Sequence, residues 1–293
     1  MNTLGLTGAC RLTALGVIRA QGADAASFLH GQLTTDFASL SLSEARLAGF
    51  CSAKGRLMAT LIAWKSVDDE ILLAPPAELL PSVLKRLSMF VMRARCKLSD
   101  ATADIPLWGV AAAASTGAVW SRQADGIRLP AAPGTALFLT QQPPPALPSL
   151  ALADWDWMSL QSGLPWITAA TSEHFVPQMV NLELLGGVNF KKGCYPGQEI
   201  VARSQYRGTL KRRSYLYETD AIAAPGQEIF HSEDPGQPAG MVVNAATRGG
   251  RSLILAETKI AALATGSLHL GAADGPLLMP LPMPYALDVD VTE

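Results

Sequence analysis

The stretch "NFKKGCYPGQEIVARSQYRG", residues 189–208, decides how this chain is interpreted. A lone cysteine, Cys194, stands there between two lysines and a Tyr-Pro-Gly sequence. Pro196 and Gly197 suit the central positions of a type II turn, and Gly193 and Gly197 permit backbone conformations that other residues resist. We therefore expect a tight turn in which the Cys194 side chain and nearby amides face one ligand.

The flanking charges bear on the state of the thiol. Lys191 and Lys192 favour the reactive thiolate form, whereas Glu199 acts in the opposite direction or pairs with a lysine. The alternative is that Cys194 is a small buried hydrophobic residue, which is the common role of a free cysteine. The residues alone leave these two interpretations open.

A basic segment follows, with five cations within eleven residues: Arg203, Arg207, Lys211, Arg212 and Arg213. Such a segment can bind carboxylates or phosphates, because an arginine can make two parallel hydrogen bonds. The alternative is a solvated strand edge that is protected by charge. Tyr206, Tyr215 and Tyr217 could stack a flat ring or simply occupy strand positions.

Upstream of this segment the pattern predicts short helices and strands. A helix is predicted after Asp24 as N-cap, with Phe28 and Leu29 inward and Gly31 at its end. Two strands surround a turn at residues 53–55. Further helices are predicted over residues 77–91 and within residues 153–167, the latter a short helix closed by Gly163 and Pro165. The helix over residues 77–91 has apolar residues at helical spacing: Leu79, Val83, Leu84, Leu87 and Phe90.

After Lys211 the chain consists of short apolar runs separated by Gly, Pro, Asp or Asn. This pattern predicts a small antiparallel β-barrel or sandwich, whose last strand falls within residues 285–291. Together with the mixed elements before it, the pattern predicts an α+β fold. We expect residues 1–208 to form one region of two interleaved subdomains and residues 209–293 to form a C-terminal β domain.

Composition excludes several classes of protein. Apolar residues make up 49% of the 293 and charged residues 16%, which is typical of a globular chain. The net charge of −2 gives no global attraction for nucleic acid, so direct binding of nucleic acid is not expected. No P-loop and no G-x-S-x-G motif is present.

Cysteine spacing and hydropathy suggest a compartment. The four cysteines and four histidines are scattered, which favours neither a metal site nor a disulfide framework. The first 25 residues show no secretory signal, and no window reaches the ~18 apolar residues of a membrane span. We therefore expect a cytoplasmic protein with no membrane contact.

Residues 175–208 resemble the signature of the YgfZ family, folate-binding proteins related to the T-protein (aminomethyltransferase) of the glycine cleavage system. Residues 192–199 satisfy every fixed position of the family motif K-G-C-Y-x-G-Q-E, and Arg203 and residues 206–208 match downstream. The segments "FLHGQLTTDF", "CSAKGRLMATL" and "MRARCKL" also resemble family segments, in the same order. The agreement extends from about residue 10 to residue 213.

The resemblance implies three subdomains around a central channel that binds tetrahydrofolate, with a C-terminal barrel. It implies a role in assembly or repair of iron–sulfur clusters, with an indirect role in tRNA modification. Cys194 would be the functional thiol and Lys192 its catalytic neighbour. The remaining site residues would frame the folate: Asp36, Tyr195, Gln198, Glu199 and Arg203. The implied partners are iron–sulfur client or assembly proteins, and we expect a monomer.

One departure from the T-proteins concerns the folate ring. Gln161 and Ser162 stand where T-proteins have Arg or Glu, although a carboxylate is the natural partner for the guanidine-like edge of a pterin. This departure weakens the alternative of a folate-dependent one-carbon transferase, for which Asp36 is the candidate base. Asp36 is otherwise expected to cap a turn. A second alternative is a non-catalytic folate- or RNA-binding module that docks through residues 203–213.

Overall fold

A computed structural model describes residues 6–113, 116–123, 126–142, 146–206 and 210–287. The α-helices in these ranges are α1 (Ala25–His30), α2 (Leu80–Val91), α3 (Leu152–Gln161) and α4 (Gln198–Tyr206). The strands are β1 (Gly8–Arg11), β2 (Ile18–Gln21), β3 (Ala45–Cys51), β4 (Leu57–Val67), β5 (Glu70–Ala74), β6 (Lys97–Asp100), β7 (Trp108–Ala113), β8 (Arg122–Gln123), β9 (Gly126–Leu129), β10 (Thr135–Thr140), β11 (Arg212–Thr219), β12 (Glu228–His231), β13 (Asp234–Arg248), β14 (Arg251–Lys259), β15 (Leu268–Leu270) and β16 (Met279–Leu281). Short 3₁₀ helices cover Ala77–Leu79, Pro177–Val180 and Ile260–Leu263.

The strands form three antiparallel sheets. The first sheet has the order β3-β4-β5-β2-β6, the second β1-β7-β10-β9-β8, and the third β15-β12-β13-β14-β11-β16. The predicted mixture of helices and strands is present, with strands in the majority. None of the helices in the described ranges is long and apolar enough to cross a membrane.

The third sheet is curved so that one segment, residues 276–281, pairs with both of its edges. Residues 279–281 form β16 on β11, while the backbone N–H of Leu278 donates to the carbonyl of Leu268 on β15 at 2.9 Å. The β-rich region predicted after Lys211 is therefore present. Residues 285–287 are not a strand, and the rest of the last predicted strand lies outside the described residues.

The first sheet is buried on both faces. On one face, Leu61 belongs to a core cluster that includes Val180 and, from the third sheet, Leu255. On the other face, Trp64 belongs to a cluster with Leu139 of the second sheet. Double burial explains why β4 reads "LMATLIAW" as a nearly continuous apolar run instead of alternating.

The first two predicted helices are present with different details. Asp24 precedes α1, but its side chain makes no capping bond; it accepts instead from the backbone N–H of Arg95 at 2.8 Å. α1 buries Phe28 and Leu29 as predicted. α2 buries Val83 and Leu87, whereas Phe90, in its last turn, is 45% exposed.

A buried ion pair ties the third sheet to the segment before the cysteine motif. Arg213 of β11 is 3% exposed, and its Nη1 lies 2.5 Å from Oε1 of Glu183. The same nitrogen donates to the carbonyl of Gln178 and to Oδ1 of Asn181, each at 3.2 Å. Asn181 in turn donates from Nδ2 to the carbonyl of Ser214 at 2.8 Å. The network therefore fixes residues 178–183 on β11.

Two glycine turns meet where the motif packs on the first sheet. Gly55 (φ +70°) ends the β3–β4 turn, and Gly197 (φ +79°) precedes α4. A methyl group on Gly197 would lie 2.4 Å from the carbonyl oxygen of Ser52 and 2.6 Å from Cα of Gly55. Both predicted turns are thus present, and their backbones approach too closely for any side chain.

Replacing Gly197 by alanine is expected to destabilise the protein more than its backbone conformation alone explains. Gly186 is the matched control, because it has φ +78° but no atom within 4 Å of the added methyl group. Gly186→Ala should lower the free energy of unfolding by about 1–2 kcal/mol, the cost of a left-handed alanine. Gly197→Ala should lower it by about 3 kcal/mol or more, because overpacking is added. Urea denaturation of both variants tests this, and equal losses would contradict the close contact.

Glu183→Gln is expected to destabilise the protein by about 3–5 kcal/mol, because it leaves the buried Arg213 guanidinium without its counter-charge. Asp220→Asn is the control: this carboxylate pairs with Arg251 but its side chain is 86% exposed. Loss of that pair should cost less than about 1 kcal/mol. The two unfolding free energies are compared in urea, and a small effect of Glu183→Gln would show that the buried pair is dispensable.

Candidate functional site

A cavity of about 450 Å³ lies where the three sheets meet, and we call it the central cavity. Its wall includes Ile62 of the first sheet, Leu139 of the second and Asn244 of the third. The amide of Asn244 is fixed, because it accepts from the backbone N–H of Trp166 at 2.8 Å and donates to the carbonyl of Trp166 at 2.7 Å. The cavity therefore has mainly apolar walls and a small number of oriented polar groups.

One face of α3 forms a wall of the central cavity. Its cavity-lining residues recur at spacings of three and four, as one helical face requires: Leu152, Trp155, Asp156, Ser159 and Leu160. Gly109 of β7 makes room for the indole, since a methyl group there would lie 2.6 Å from Cδ2 of Trp155. The glycine thus permits the Trp155 ring to lie flat against the second sheet.

Two carboxylates line the central cavity. Asp156 keeps part of its side chain accessible to solvent, yet the surrounding walls displace water and raise its pKa to about 6. Glu78 is held by the backbone N–H of Ala169, which donates to Oε1 at 2.9 Å. Gln161 and Ser162 do not line the cavity. Asp156 and Glu78 are therefore the acidic residues of the described cavity wall.

Lys192 of the motif is anchored to the end of α1. Its Nζ donates to the carbonyls of His30 and Leu33, the latter at 2.7 Å, and lies 4.8 Å from the ring centre of Tyr195. Partial burial lowers the pKa of Lys192 to about 8, and the neighbouring Asp36 and Cys194 oppose that shift. The ammonium group therefore interacts electrostatically with both Asp36 and Cys194.

Cys194 is the exposed cysteine of the chain, whereas the other three are buried: Cys10, Cys51 and Cys96. Burial raises the pKa of Cys10 to about 11 and that of Cys51 to about 12. The interpretation of Cys194 as a buried hydrophobic residue is wrong. Its thiol is accessible at the start of the Tyr195–Gln198 turn, which is closed by a 3.2 Å hydrogen bond.

Asp36 caps a turn, as its sequence context predicts. Oδ1 accepts from the backbone N–H of Ala38 at 2.9 Å, and Oδ2 accepts from the hydroxyl of Ser39 at 2.7 Å. The Ser39 hydroxyl is the main cause of the lowered pKa of Asp36. Oδ1 also lies 2.9 Å from Nδ1 of His30. Asp36 is therefore a fixed carboxylate next to an imidazole.

The other predicted site residues surround the thiol loop and α4. Tyr195 is buried, and burial raises the pKa of its phenol. Gln198 is half-buried, and Glu199 and Arg203 are exposed on α4. The structure thus brings Lys192, Cys194 and Asp36 together, with the α4 residues beside them. No predicted site residue belongs to the wall of the central cavity.

A second cleft of about 450 Å³ lies beside the motif and includes Asp36 and Lys191 in its wall. Phe190 and Tyr206 form an aromatic pair there, with ring centres 5.7 Å apart and nearly perpendicular planes. The hydroxyl of Thr35 is buried at this cleft and has no hydrogen-bond partner. This cleft, which we call the motif cleft, therefore has the unpartnered hydroxyl of Thr35 beside the exposed side chains of Lys191 and Tyr206.

Part of the basic segment is used within the protein. Arg212 donates from Nη1 to both carboxylate oxygens of Glu257 at 2.8 Å, and Arg213 is the buried partner of Glu183. Tyr215 is half-buried and Tyr217 is buried, and both lie in β11, so neither offers an exposed ring face for stacking. Arg203 and Lys211 are exposed, while Arg207 and Gly208 lie outside the described residues. The segment is thus a weaker cationic surface than its composition suggests.

Sequence reasoning did not single out three residues of these sites: His30, Glu78 and Asp156. Asp156 had a detectable signal, since it shares a helical face with Trp155 and Leu160. His30 could not be distinguished from the other three histidines, and Glu78 had no signal, because their positions depend on contacts with Asp36 and Ala169. In the described part of the chain, no three His, Cys, Asp or Glu side chains cluster so as to hold a metal ion.

The structure and sequence have recognisable relatives. The crystal structure of glycine cleavage system aminomethyltransferase T from Bartonella henselae matches 96% of this chain and 86% of its own, with a TM-score of 0.71 and 14% identity. This likeness establishes a T-protein-like fold.

No protein-family model matches the chain. The tRNA-modifying protein YgfZ of Edwardsiella ictaluri is 32% identical over 232 residues, which cover 71% of this chain and 70% of that protein. Identity at this level over more than two thirds of both sequences places the chain in the YgfZ family.

Proposed function

We propose that this chain binds tetrahydrofolate and supports assembly or repair of iron–sulfur clusters, and through them tRNA modification, with Cys194 as its functional thiol. The central cavity carries the proposal, because it combines aromatic walls with carboxylates at the junction of three sheets in a T-protein-like fold. The relative named as a tRNA-modifying protein supports the same reading.

The central cavity suits the ring system of a folate. Its volume lies in the usual range for small-molecule sites, which is about 300–1,000 Å³. Trp155 and Trp166 offer apolar faces for a flat ring, and Asp156 and Glu78 can accept hydrogen bonds from a pterin's N–H edge. The bound folate would supply one-carbon chemistry, and these four residues would hold and orient it.

Cys194 and Lys192 form a separate, outer part of the proposed site. A single accessible thiolate can donate one ligand to an iron–sulfur cluster, so a client or assembly protein must supply the others. The Lys192 ammonium stabilises negative charge on the nearby sulfur. The assignment of Asp36, Tyr195, Gln198, Glu199 and Arg203 to folate binding stays a prediction that binding measurements on their variants can test.

The two alternatives gain less support. A one-carbon transferase would use Asp36 as base, yet both oxygens of that carboxylate already accept hydrogen bonds within residues 36–39. RNA docking through residues 203–213 would have two fewer cations available, because Arg212 pairs with Glu257 and Arg213 pairs with Glu183. Folate binding with an accessory thiol is therefore the function that the geometry favours.

Asp156→Asn is expected to weaken tetrahydrofolate binding about tenfold, because it replaces a charged acceptor by a neutral amide oxygen, a difference of about 1.4 kcal/mol. Asp154→Asn is the matched control: this carboxylate lies on the same helix, outside the cavity wall, and pairs with Arg248 at 2.6 Å. Calorimetric titration measures both affinities. Equal affinities for the two variants would remove Asp156 from the folate site.

The affinity for tetrahydrofolate should also depend on pH. Because the Asp156 pKa is raised to about 6, its carboxylate is ionised above that pH and protonated below it. Binding that uses the ionised form should therefore weaken as the pH falls through about 6. The Asp156→Asn variant should lack this dependence, so an identical pH profile in both proteins would contradict the assignment.

Cys194→Ala is expected to abolish the cellular function while leaving folate binding intact. The test expresses the variant in bacteria that lack their own family member and measures thiomodified tRNA nucleosides by mass spectrometry. Cys96→Ala is the control, because that cysteine is buried and outside the motif. Restoration of modification to the wild-type level by Cys194→Ala would refute the role of the thiol.

A further inference from the structure

We propose that Thr60 and Asn244 are positioning residues for the ligand of the central cavity. Together they hold residues 165–167, so that Trp166 keeps one fixed place in the cavity wall before any ligand binds. This role deepens the proposed function and rests on it, because it takes the central cavity as the folate site.

Thr60 of β4 holds the segment from the first sheet. Its side chain is fully buried, and its hydroxyl donates to the carbonyl of Pro165 at 3.0 Å and accepts from the backbone N–H of Ile167 at 3.0 Å. A hydroxyl has one donor and can accept as well, so Thr60 uses both capacities on the two residues that flank Trp166. Thr60 itself does not belong to the wall of the central cavity. Any effect it has on a ligand there must therefore pass through the segment.

Asn244 of β13 holds the same segment from the third sheet. Its amide accepts from the backbone N–H of Trp166 at 2.8 Å and donates to the carbonyl of Trp166 at 2.7 Å. The register of β13 against β14 shifts between Val242 and Asn244, as at a β-bulge. Bulges bend a strand and aim a side chain in a new direction, so this shift is a local cause for the orientation of the Asn244 amide.

The backbone of residues 165–167 is thus bonded to two sheets at once. Two of its carbonyls and two of its N–H groups bond to the side chains of Thr60 and Asn244. The backbone N–H of Ala169 continues the pattern, because it donates to Oε1 of Glu78 at 2.9 Å. An irregular segment lacks the partners that a helix or strand provides for its backbone, so other groups have to provide them. Here the sheets do so, and they thereby set the conformation of the segment.

Trp166 is the cavity residue that this arrangement places. It is half-buried, belongs to the wall of the central cavity, and packs against the core clusters on both faces of the first sheet. A ring that is already in place binds a flat ligand better, because ordering a side chain on binding costs entropy. If roughly one molecule in ten held Trp166 in place, the measured Kd would rise about tenfold.

The test measures tetrahydrofolate affinity by calorimetric titration, at a temperature where circular dichroism shows each variant to be folded. Thr60→Val keeps the shape of the side chain but removes its hydroxyl, and it should weaken binding about tenfold. Thr60→Ser retains the hydroxyl and should bind within about twofold of the wild type. Asn244→Leu removes the bonds from the third sheet and should weaken binding at least as much as Thr60→Val.

Ser172→Ala is the matched control for Thr60→Val. The hydroxyl of Ser172 donates to the carbonyl of Met58 at 2.9 Å, so it also joins β4 to the segment after α3. Neither Ser172 nor Met58 belongs to the cavity wall. Ser172→Ala should therefore lose stability, as Thr60→Val does, but bind tetrahydrofolate as the wild type does.

A fluorine NMR spectrum separates the placement of Trp166 from a general loss of stability. The tryptophans are replaced by 5-fluorotryptophan, and the Trp166 resonance is assigned by its absence from Trp166→Phe. The free wild type should show one narrow Trp166 resonance, and Thr60→Val should show a broadened or divided one. The resonance of Trp108, which does not belong to the cavity wall, should stay unchanged.

An unchanged affinity and an unchanged Trp166 resonance in Thr60→Val would overturn the inference, and so would an equal loss of affinity in Ser172→Ala. Failure of the proposed function gives a different result, since the wild type itself would then not bind tetrahydrofolate. In that case the folate assignment is removed, and the fluorine spectra of the free proteins still decide whether Thr60 holds Trp166 in place.

Discussion

The close approach of Gly55 and Gly197 is the constraint on which the thiol site depends. A β-carbon on Gly197 would lie 2.6 Å from Cα of Gly55, and one on Gly55 would lie 2.8 Å from Cβ of Ile200 in α4, so the close approach requires glycine at both positions. One turn ends a strand of the doubly buried first sheet, and the other begins α4. The loop that carries Cys194 is therefore positioned against the doubly buried first sheet, although Cys194 itself is exposed.

The segment before the motif, residues 178–183, is held in place by a buried ion pair. Arg213 and Glu183 are both buried, and Asn181 adds hydrogen bonds between the same two elements. A buried ion pair contributes geometric specificity more than stability, because desolvation offsets most of the attraction. Here it sets the position of residues 178–183 relative to the third sheet. The motif is thus held by glycine contacts on one side and by this network on the other.

The sequence predicted the elements that depend on local pattern. The turns at residues 53–55 and 196–197, the helix that buries Phe28 and Leu29, and the β-rich C-terminal region are all present. These features follow from glycine conformations and from apolar periodicity, which are encoded within a few residues. The T-protein-like fold was expected from the resemblance to a known family, because local rules of this kind do not specify an overall fold.

Features that depend on distant contacts were not predictable. The position of Phe90 depends on where α2 ends, and the partners of Arg212 and Arg213 lie 45 and 30 residues away in the chain. A run of cations therefore appeared as a surface patch, although two of its members are internal. His30 was one of four equivalent histidines until the fold brought it beside Asp36 and Gly193.

Lys192 is a partly buried cation whose pKa is lowered by desolvation. Its pKa is about 8 in the folded protein, against about 10.4 in an unfolded chain. Between these values the unfolded chain binds more protons, so stability rises with pH across that window. At neutral pH the protein therefore keeps a partly desolvated cation at a cost in stability. Proteins retain a partly desolvated cation mainly at sites that require its charge. Lys192 is such a cation, and it lies two residues before Cys194, the exposed one of the chain's four cysteines.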